Sequence, residues 1–338
     1  MRATLISNRA PGGERSRLED QLPLSTPYVV QIFPVYACNF RCNYCHFSIE
    51  KENRKFVTDK ISMDLALYKK CVDDMCGFPE KIRTLRFVGM GEPLLHKDLP
   101  EMIAYTKKKG IANRVEVITN GSLLTDELSD ALIEAGLDRM VISIQGTTAQ
   151  KYEEVSHVSL NFDEFIQKIR YFYEHKKNTH VYIKVVDIAL TDEADRHRFM
   201  ELFGDICDSI GIETAIPLYP EVEFNAVLEQ QKRVTQYGTE LQKTDVCPQP
   251  FYLMQINPDG KVVGCHSISP YPEIFGDCTV QNVCEIWIGS KFNRFRRKML
   301  DGKEQVCTCC KECTLMEYRT FEEDRIDARR DVLKSVYQ

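Results

Sequence analysis

The sequence predicts an α/β protein in which six consecutive β-α units surround a parallel sheet and a smaller cysteine-rich domain follows. Three observations predict it. Short runs rich in Val, Ile, Tyr and Phe alternate with longer stretches of helical periodicity through the first two thirds of the chain. The alternation stops after Pro217 and Pro220. The cysteines gather in two places, one near residue 40 and one beyond residue 246.

Residues 1–27 read as a poorly ordered N-terminal tail, because Arg2, Arg9, Arg15 and Arg17 surround Pro11-Gly12-Gly13 and no apolar stretch suits a secretory signal. The main domain is expected over 28–225, with strands at 28–35, 84–88, 114–119, 139–144, 180–188 and 212–218. Helices are expected at 62–76, 97–109, 125–135, 162–175 and 192–208, with Ser62, Thr125 and Thr191 as capping residues. Parallel strands then require right-handed crossovers. The second domain, 226–338, opens on a polar helical stretch near 226–243 and closes on a charged surface helix near 317–335.

The chain has 338 residues and a formal net charge of −6, which offers no general attraction to phosphate backbones despite the local Lys107-Lys108-Lys109. No nucleic-acid partner is expected. No apolar run reaches the roughly 18–20 residues of a membrane span, so a cytoplasmic protein without a membrane partner is expected. Fourteen cysteines exceed what a reduced compartment explains and fall short of a disulfide scaffold, which leaves metal ligation or catalysis as their use.

Cys38, Cys42 and Cys45 form a Cys-x3-Cys-x2-Cys loop directly after the first strand. Thiolates are the ligands that iron–sulfur clusters prefer, and three of them leave one iron open. The competing reading is a zinc knuckle or three buried thiols. Gly89-Met90-Gly91-Glu92-Pro93 follows the second strand; its glycines allow close backbone approach and Glu92 supplies a carboxylate acceptor. Thr119-Asn120-Gly121 and Ser143-Ile144-Gln145-Gly146 end the third and fourth strands, so polar groups recur at the strand C-termini, where parallel β/α barrels keep their sites. Lys184 is either a site cation or a solvent-facing lysine, and His46 either shapes the loop's surroundings or packs.

The cysteine spacing, with Tyr44 before its third member, resembles the radical S-adenosylmethionine (SAM) superfamily. The resemblance implies a partial (β/α)6 barrel in which the open iron of a 4Fe-4S cluster binds the amino and carboxylate groups of SAM, whose reductive cleavage gives a 5′-deoxyadenosyl radical that abstracts hydrogen. It makes Tyr44, Gly89, Gly91, Glu92, Asn120, Ser143 and Gln145 the candidate cofactor-binding residues, with Glu92 on the methionine ammonium.

Cys247 and Cys265 flank a hairpin with a turn at Asn257-Pro258-Asp259-Gly260, and Cys307, Cys309, Cys310 and Cys313 follow. With Glu285-Ile286-Trp287 between them, the arrangement resembles the SPASM or shortened twitch extension. One auxiliary 4Fe-4S cluster held by Cys247, Cys265, Cys310 and Cys313 is expected, with Cys307 and Cys309 rivals for the late pair and a zinc ribbon the alternative. Cys71, Cys76 and Cys207 are expected in the core.

The resemblance implies an oxidoreductase that oxidises a carbinol of a sugar or cyclitol, with the auxiliary cluster as electron acceptor and an external reductant such as flavodoxin or ferredoxin. Fewer than thirty residues precede the first expected strand, where many peptide maturases carry a leader-recognition domain, and this leans away from a peptide substrate. A sugar epimerase using Cys278, Cys284 or Cys309 as hydrogen donor and a peptide maturase are the alternatives. A ferredoxin-like carrier and a zinc-stabilised binding module are the readings outside this class.

Overall fold

Among the described residues of the computed structural model (2–6, 15–54, 56–217, 222–224, 234–265 and 273–337), ten strands form one sheet. They are β1 (Thr4–Ile6), β2 (Val29–Ile32), β3 (Thr84–Phe87), β4 (Val115–Thr119), β5 (Arg139–Ile144), β6 (His180–Val186), β7 (Ser209–Glu213), β8 (Leu253–Ile256), β9 (Lys261–Val263) and β10 (Gly276–Asp277), in the order β1-β7-β6-β5-β4-β3-β2-β8-β9-β10. β2 to β7 pair in parallel and form the partial (β/α)6 barrel. Helices α1 (Leu65–Met75), α2 (Leu99–Lys109), α3 (Asp126–Glu134), α4 (Ala149–Ser156), α5 (Phe162–His175) and α6 (Glu193–Phe203) fill the crossovers.

The structure corrects the sequence reading in several places, among them Cys76, exposed where α1 ends and not in the core, and the caps of α1 and α6, which are Asp64 and Asp192 and not Ser62 and Thr191. The sixth barrel strand is Ser209–Glu213, a few residues earlier than expected, because Asp208 ends the α6 connection and its carboxylate accepts the Val181 amide. α4, capped by Thr148, was not foreseen. The N-terminal segment is no loose tail where it is described: β1 adds a parallel strand beside β7, and Leu18 is buried. The polar helix expected near 226–243 lies partly outside the described residues, and residues 234–240 form a turn closed by a Val234–Glu240 bridge. The charged stretch 317–335 is several short helices, Leu315–Arg319, two 3₁₀ turns and Arg330–Val336, pinned by buried Ile326 and Leu333.

The expected hairpin is present, and it does more than bring thiols together. β8 pairs in parallel with β2 over its whole length and in antiparallel fashion with β9, so the cysteine-rich domain continues the barrel's own sheet.

Alternation along the strands sends Leu85, Phe87, Val117, Ile142, Ile183 and Ile210 into the main core. The opposite face is polar. Glu116, 1% exposed, accepts from Arg86 Nε at 2.5 Å and Arg139 Nη1 at 3.0 Å. Glu213 Oε2 accepts from Lys184 Nζ and Gln236 Nε2, both at 2.6 Å, and Arg319 Nε reaches the Gln236 side-chain oxygen at 2.8 Å. Lys184 is therefore a lumen residue. Residues 235–237 and Arg319, from the segment after the barrel, help fill this lumen.

Burial works to raise the Glu116 pKa, but Arg86, Arg139 and Arg114 overcome it and hold the carboxyl below its usual range. Its stabilising effect is present above the ordinary carboxylate range and lost as pH falls through the depressed value. Glu116→Ala leaves two guanidiniums uncompensated and is expected to destabilise by about 3–5 kcal/mol in urea denaturation at neutral pH. The difference from the parent should narrow in acid, where Glu116 is protonated.

Candidate active site and auxiliary cysteine cavity

The loop after β2 carries the first three cysteines, and three neighbours hold it. Phe33 donates its amide to Ile256 O, continuing the link to β8. The amides of Arg41 and Asn43 donate to the carbonyls of Ser156 and Val155, so the C-terminal end of α4 anchors the loop. The Arg41 side chain returns to Cys38 O at 2.6 Å and Phe40 O at 2.7 Å.

The third neighbour is the loop after β3. The Glu92 amide donates to Ala37 O at 2.8 Å, drawing the two loops into contact. Gly91 has φ +151°, and a Cβ there would lie 2.2 Å from Val35 O and 2.8 Å from Ala37 O. Gly89 has φ +132°, and its Cβ would enter the Phe33 ring. Only glycine fits at either place.

The Glu92 side chain, 2% exposed, ties β3 to β4. Oε1 accepts from the Leu94 amide at 3.0 Å and the Thr119 hydroxyl at 2.6 Å, and Oε2 accepts from the Asn120 amide at 2.7 Å. A carboxylate offers about four acceptor positions, so Oε2 keeps one. Burial raises the Glu92 pKa to about 7, against the lowering effect of those three donors. A cation brought to Oε2 would restore the ionised form.

Asn120 Nδ2 donates to Asn39 Oδ1 at 2.9 Å, Asn39 Nδ2 donates to Ser122 Oγ at 2.8 Å, and Ser122 Oγ donates to Asn120 Oδ1 at 2.7 Å. This ring fixes the β4 end against the cysteine loop. Asn39 and Ser122 escaped the sequence reading, although Asn39 stands next to Cys38. The Tyr44 hydroxyl donates to the Gln145 side-chain oxygen, joining two expected residues across the mouth. Ser143 is half-buried on the same face of β5 as Gln145 and pairs in register with Lys184. His46 packs edge-on against Phe56, and burial together with Arg54 lowers its pKa to about 4, so it is neutral at physiological pH.

Burial pushes the Cys38 thiol up to about 12 and raises Cys42 and Cys45 too. Metal binding has to displace those protons. Among the described residues, the sulfurs that converge within 4.8 Å of one another are those of Cys307, Cys309 and Cys310. Cys38, Cys42 and Cys45 are not drawn together as one zinc ion at about 2.3 Å from each sulfur would require, and a larger multi-iron group suits them better.

The second cysteine group surrounds a cavity lined by Cys247, Cys265, Cys309, Cys310 and Cys313. Pro250, Phe295, Met299, Leu315 and Met316 give it apolar walls, and Lys303 reaches its edge. Cys307 stands outside this lining, its sulfur 2.8 Å from that of Cys309. Burial, with Cys313 nearby, raises Cys247 to about 12. A chamber with apolar walls and converging thiols suits an iron–sulfur cluster held wholly by protein.

Residues 32–202 match the Radical SAM superfamily. The chain belongs to that superfamily. Residues 247–314 of this radical SAM enzyme match the SPASM iron-sulfur cluster-binding domain. Its cofactors are SAM, a 4Fe-4S cluster and a second, auxiliary 4Fe-4S cluster. A tungsten-containing aldehyde ferredoxin oxidoreductase cofactor-modifying protein of Pyrococcus furiosus is 26% identical over 322 residues, covering 84% of this chain and 86% of its own. The SAM-dependent 2-deoxy-scyllo-inosamine dehydrogenase of Niallia circulans is 23% identical over 286 residues, covering 85% and 92%. Streptococcus suis SuiB bound to SAM shares the fold at a TM-score of 0.63, with 14% identity over 89% of this chain and 74% of its own. No helix among the described residues of this radical SAM enzyme is long and apolar enough to cross a membrane.

Two of the three expected hydrogen donors lie elsewhere. Cys278 is fully buried with its thiol hydrogen-bonded to Cys71 of α1, and Cys284 donates to Asp74 O at 3.1 Å. Both touch the part of α1 remote from the cysteine loop, whose side of the helix is marked by the Met63 amide on Pro34 O. Cys309 alone of the three lines a site.

Gly91→Ala is expected to force the loops after β2 and β3 apart. The strained φ costs about 1–3 kcal/mol, and the contact with Val35 O adds to it. Thermal denaturation should show a lowered midpoint, and reconstitution should show iron lost from the first cysteine group with the second still loaded.

Proposed function

We propose that this radical SAM enzyme oxidises a carbinol of a sugar or cyclitol bound between the barrel mouth, above the polar lumen, and the second domain, with the catalytic barrel at 28–225 and the auxiliary-cluster domain at 226–338. The observation that carries the reading is the lumen's polarity. Arg86, Lys184, Glu213 and Gln236 line the face of β3 to β7 turned away from the helices, and Arg319 joins them from the second domain. Such a surface suits a ligand dense in hydroxyl or amino groups and ill suits an apolar one. The length-spanning similarity to 2-deoxy-scyllo-inosamine dehydrogenase supports the same substrate class.

In this reading Cys38, Cys42 and Cys45 hold the first cluster, and Cys247, Cys265, Cys310 and Cys313 the auxiliary one, the lining of the apolar cavity favouring Cys309, Cys310 and Cys313 over Cys307. When bound, SAM at the open cluster supplies a hydrogen-abstracting 5′-deoxyadenosyl radical, and the closed cluster an electron acceptor. Glu92 Oε2 offers its remaining acceptor position to the methionine ammonium, while Gly89 and Gly91 let the backbone approach. Tyr44, Asn120, Ser143 and Gln145 shape the mouth between that position and the lumen. Lys184 is the register partner of Ser143 on the lumen face, and its ion pair with Glu213 supplies a group able to take the carbinol proton. A flavodoxin or ferredoxin would supply the starting electron.

The placement of Cys278 and Cys284 weighs against the epimerase, which needs a donor thiol facing the substrate. Anaerobic incubation with SAM, reductant and candidate sugars, aminocyclitols or peptides in deuterated water tests the proposal. The expected product is a ketone two mass units lighter than its substrate, with no deuterium at the reacting carbon, because the cofactors carry the redox change. An inverted product carrying solvent deuterium would establish the epimerase, and turnover of peptides alone would remove the sugar. Reconstituted protein should hold about eight irons, falling to about four when Cys38, Cys42 and Cys45 are all replaced by alanine.

A further inference from the structure

The helix Ser290–Met299 sends Phe295 and Met299 into the wall of the five-cysteine cavity. Between them in sequence stands Arg296, 3% exposed. Its guanidinium lies 4.0 Å from the Trp287 ring centre and 3.9 Å from that of Phe292. Nε donates to Pro250 O at 2.9 Å, and Nη1 to Trp287 O at 2.8 Å and Asn293 Oδ1 at 2.7 Å. All three acceptors are neutral. Nη2 is buried with no acceptor among the described residues, and no carboxylate there forms an ion pair with this side chain.

A cation buried without a counter-charge is among the costlier features a fold can hold. Lys303, the cation that lines the cavity, has Glu317 at 3.1 Å. Burial lowers the Arg296 pKa to about 9, which still leaves it charged at neutral pH. Its acceptor also belongs to the cysteine chamber: Pro250 lines the cavity, three residues after Cys247. A cluster held by four thiolates is net anionic and becomes more so on reduction.

We propose that Arg296 is the buried counter-charge of the auxiliary cluster, holding its reduction potential high enough to accept an electron from a substrate radical. The proposal rests on the assignment of that cluster to the cavity. Arg296 is a positioning residue for charge, since it does not itself line the cavity, and it acts through the field and not through contact.

The test uses full-length, reconstituted protein and follows the midpoint potential of the auxiliary cluster by EPR-monitored titration. Arg296→Gln and Arg296→Met should keep about eight irons and move the auxiliary midpoint to more negative values, while the open cluster's midpoint stays in place. Arg296→Lys should stay close to the parent. An unmoved midpoint in fully loaded Arg296→Gln overturns the proposal, as does an Arg296→Lys midpoint that falls with the uncharged variants. If the uncharged variants fail to load, Tyr337→Glu decides. The ring of Tyr337 lies 5.8 Å from the guanidinium, so this change adds the missing carboxylate without removing the arginine. A negative shift there supports the counter-charge, and an unchanged midpoint removes it. Separately, an iron content that stays at the parent level in Cys247→Ala with Cys310→Ala would show that the cluster lies elsewhere, a failure of the site assignment and not of Arg296.

Discussion

The parallel ladder between Val29–Ile32 and Leu253–Ile256 is the joint on which both cysteine sites depend. β2 ends in the loop that bears Cys38, Cys42 and Cys45, and β8 lies between Cys247 and the turn that leads to Cys265. Backbone hydrogen bonds along one edge of β2 therefore set the relative position of the two groups. A flexible linker would leave their separation to chance, whereas a shared sheet makes it a property of strand spacing, about 4.8 Å per strand. The proposed electron transfer from a substrate radical to an auxiliary cluster would need that constancy.

Two opposing uses of burial build the sites. Around the first loop, close backbone approach replaces side chains: Gly91 leaves room for the carbonyls of Val35 and Ala37, and the Glu92 oxygens accept from the Thr119 hydroxyl and the Asn120 amide at the end of β4. Around the second, bulk does the work, with Phe295, Met299, Leu315 and Met316 forming apolar walls beside the thiols. The lumen between them follows a third rule. There charges are buried in mutually compensating sets, Glu116 with Arg86 and Arg139, and Glu213 with Lys184.

What the sequence made legible was local. Five of the six barrel strands and five helices follow from periodicity of 2 and 3.6, and the cysteine loop and the glycines of the β3 loop are contiguous motifs. Pairing between distant segments leaves no such mark. Nothing in Leu253–Ile256 announces β2 as its neighbour, and Thr4–Ile6 is too short for a period to show. α4 was missed because its eight residues carry Gln150, Glu153 and Glu154 and a weak apolar stripe, yet its carbonyls hold Arg41 and Asn43. The thiols illustrate the limit best. Cysteine is equally at home as ligand and as small hydrophobe; position relative to α1, and not spacing, separates Cys278 and Cys284 from Cys310 and Cys313.

The place of β8 also governs how the molecule comes into being. β2 emerges from the ribosome early, with β3 soon able to cover one edge, but the strand that covers its other edge is made more than two hundred residues later. Until then that edge offers unpaired amides and carbonyls, the kind of surface that recruits stray strands. Such a long-range pairing also slows folding. Chain shortened before residue 253 would complete every β-α unit and still present an open, aggregation-prone barrel, so the C-terminal domain acts as the cap of the N-terminal one before either holds iron.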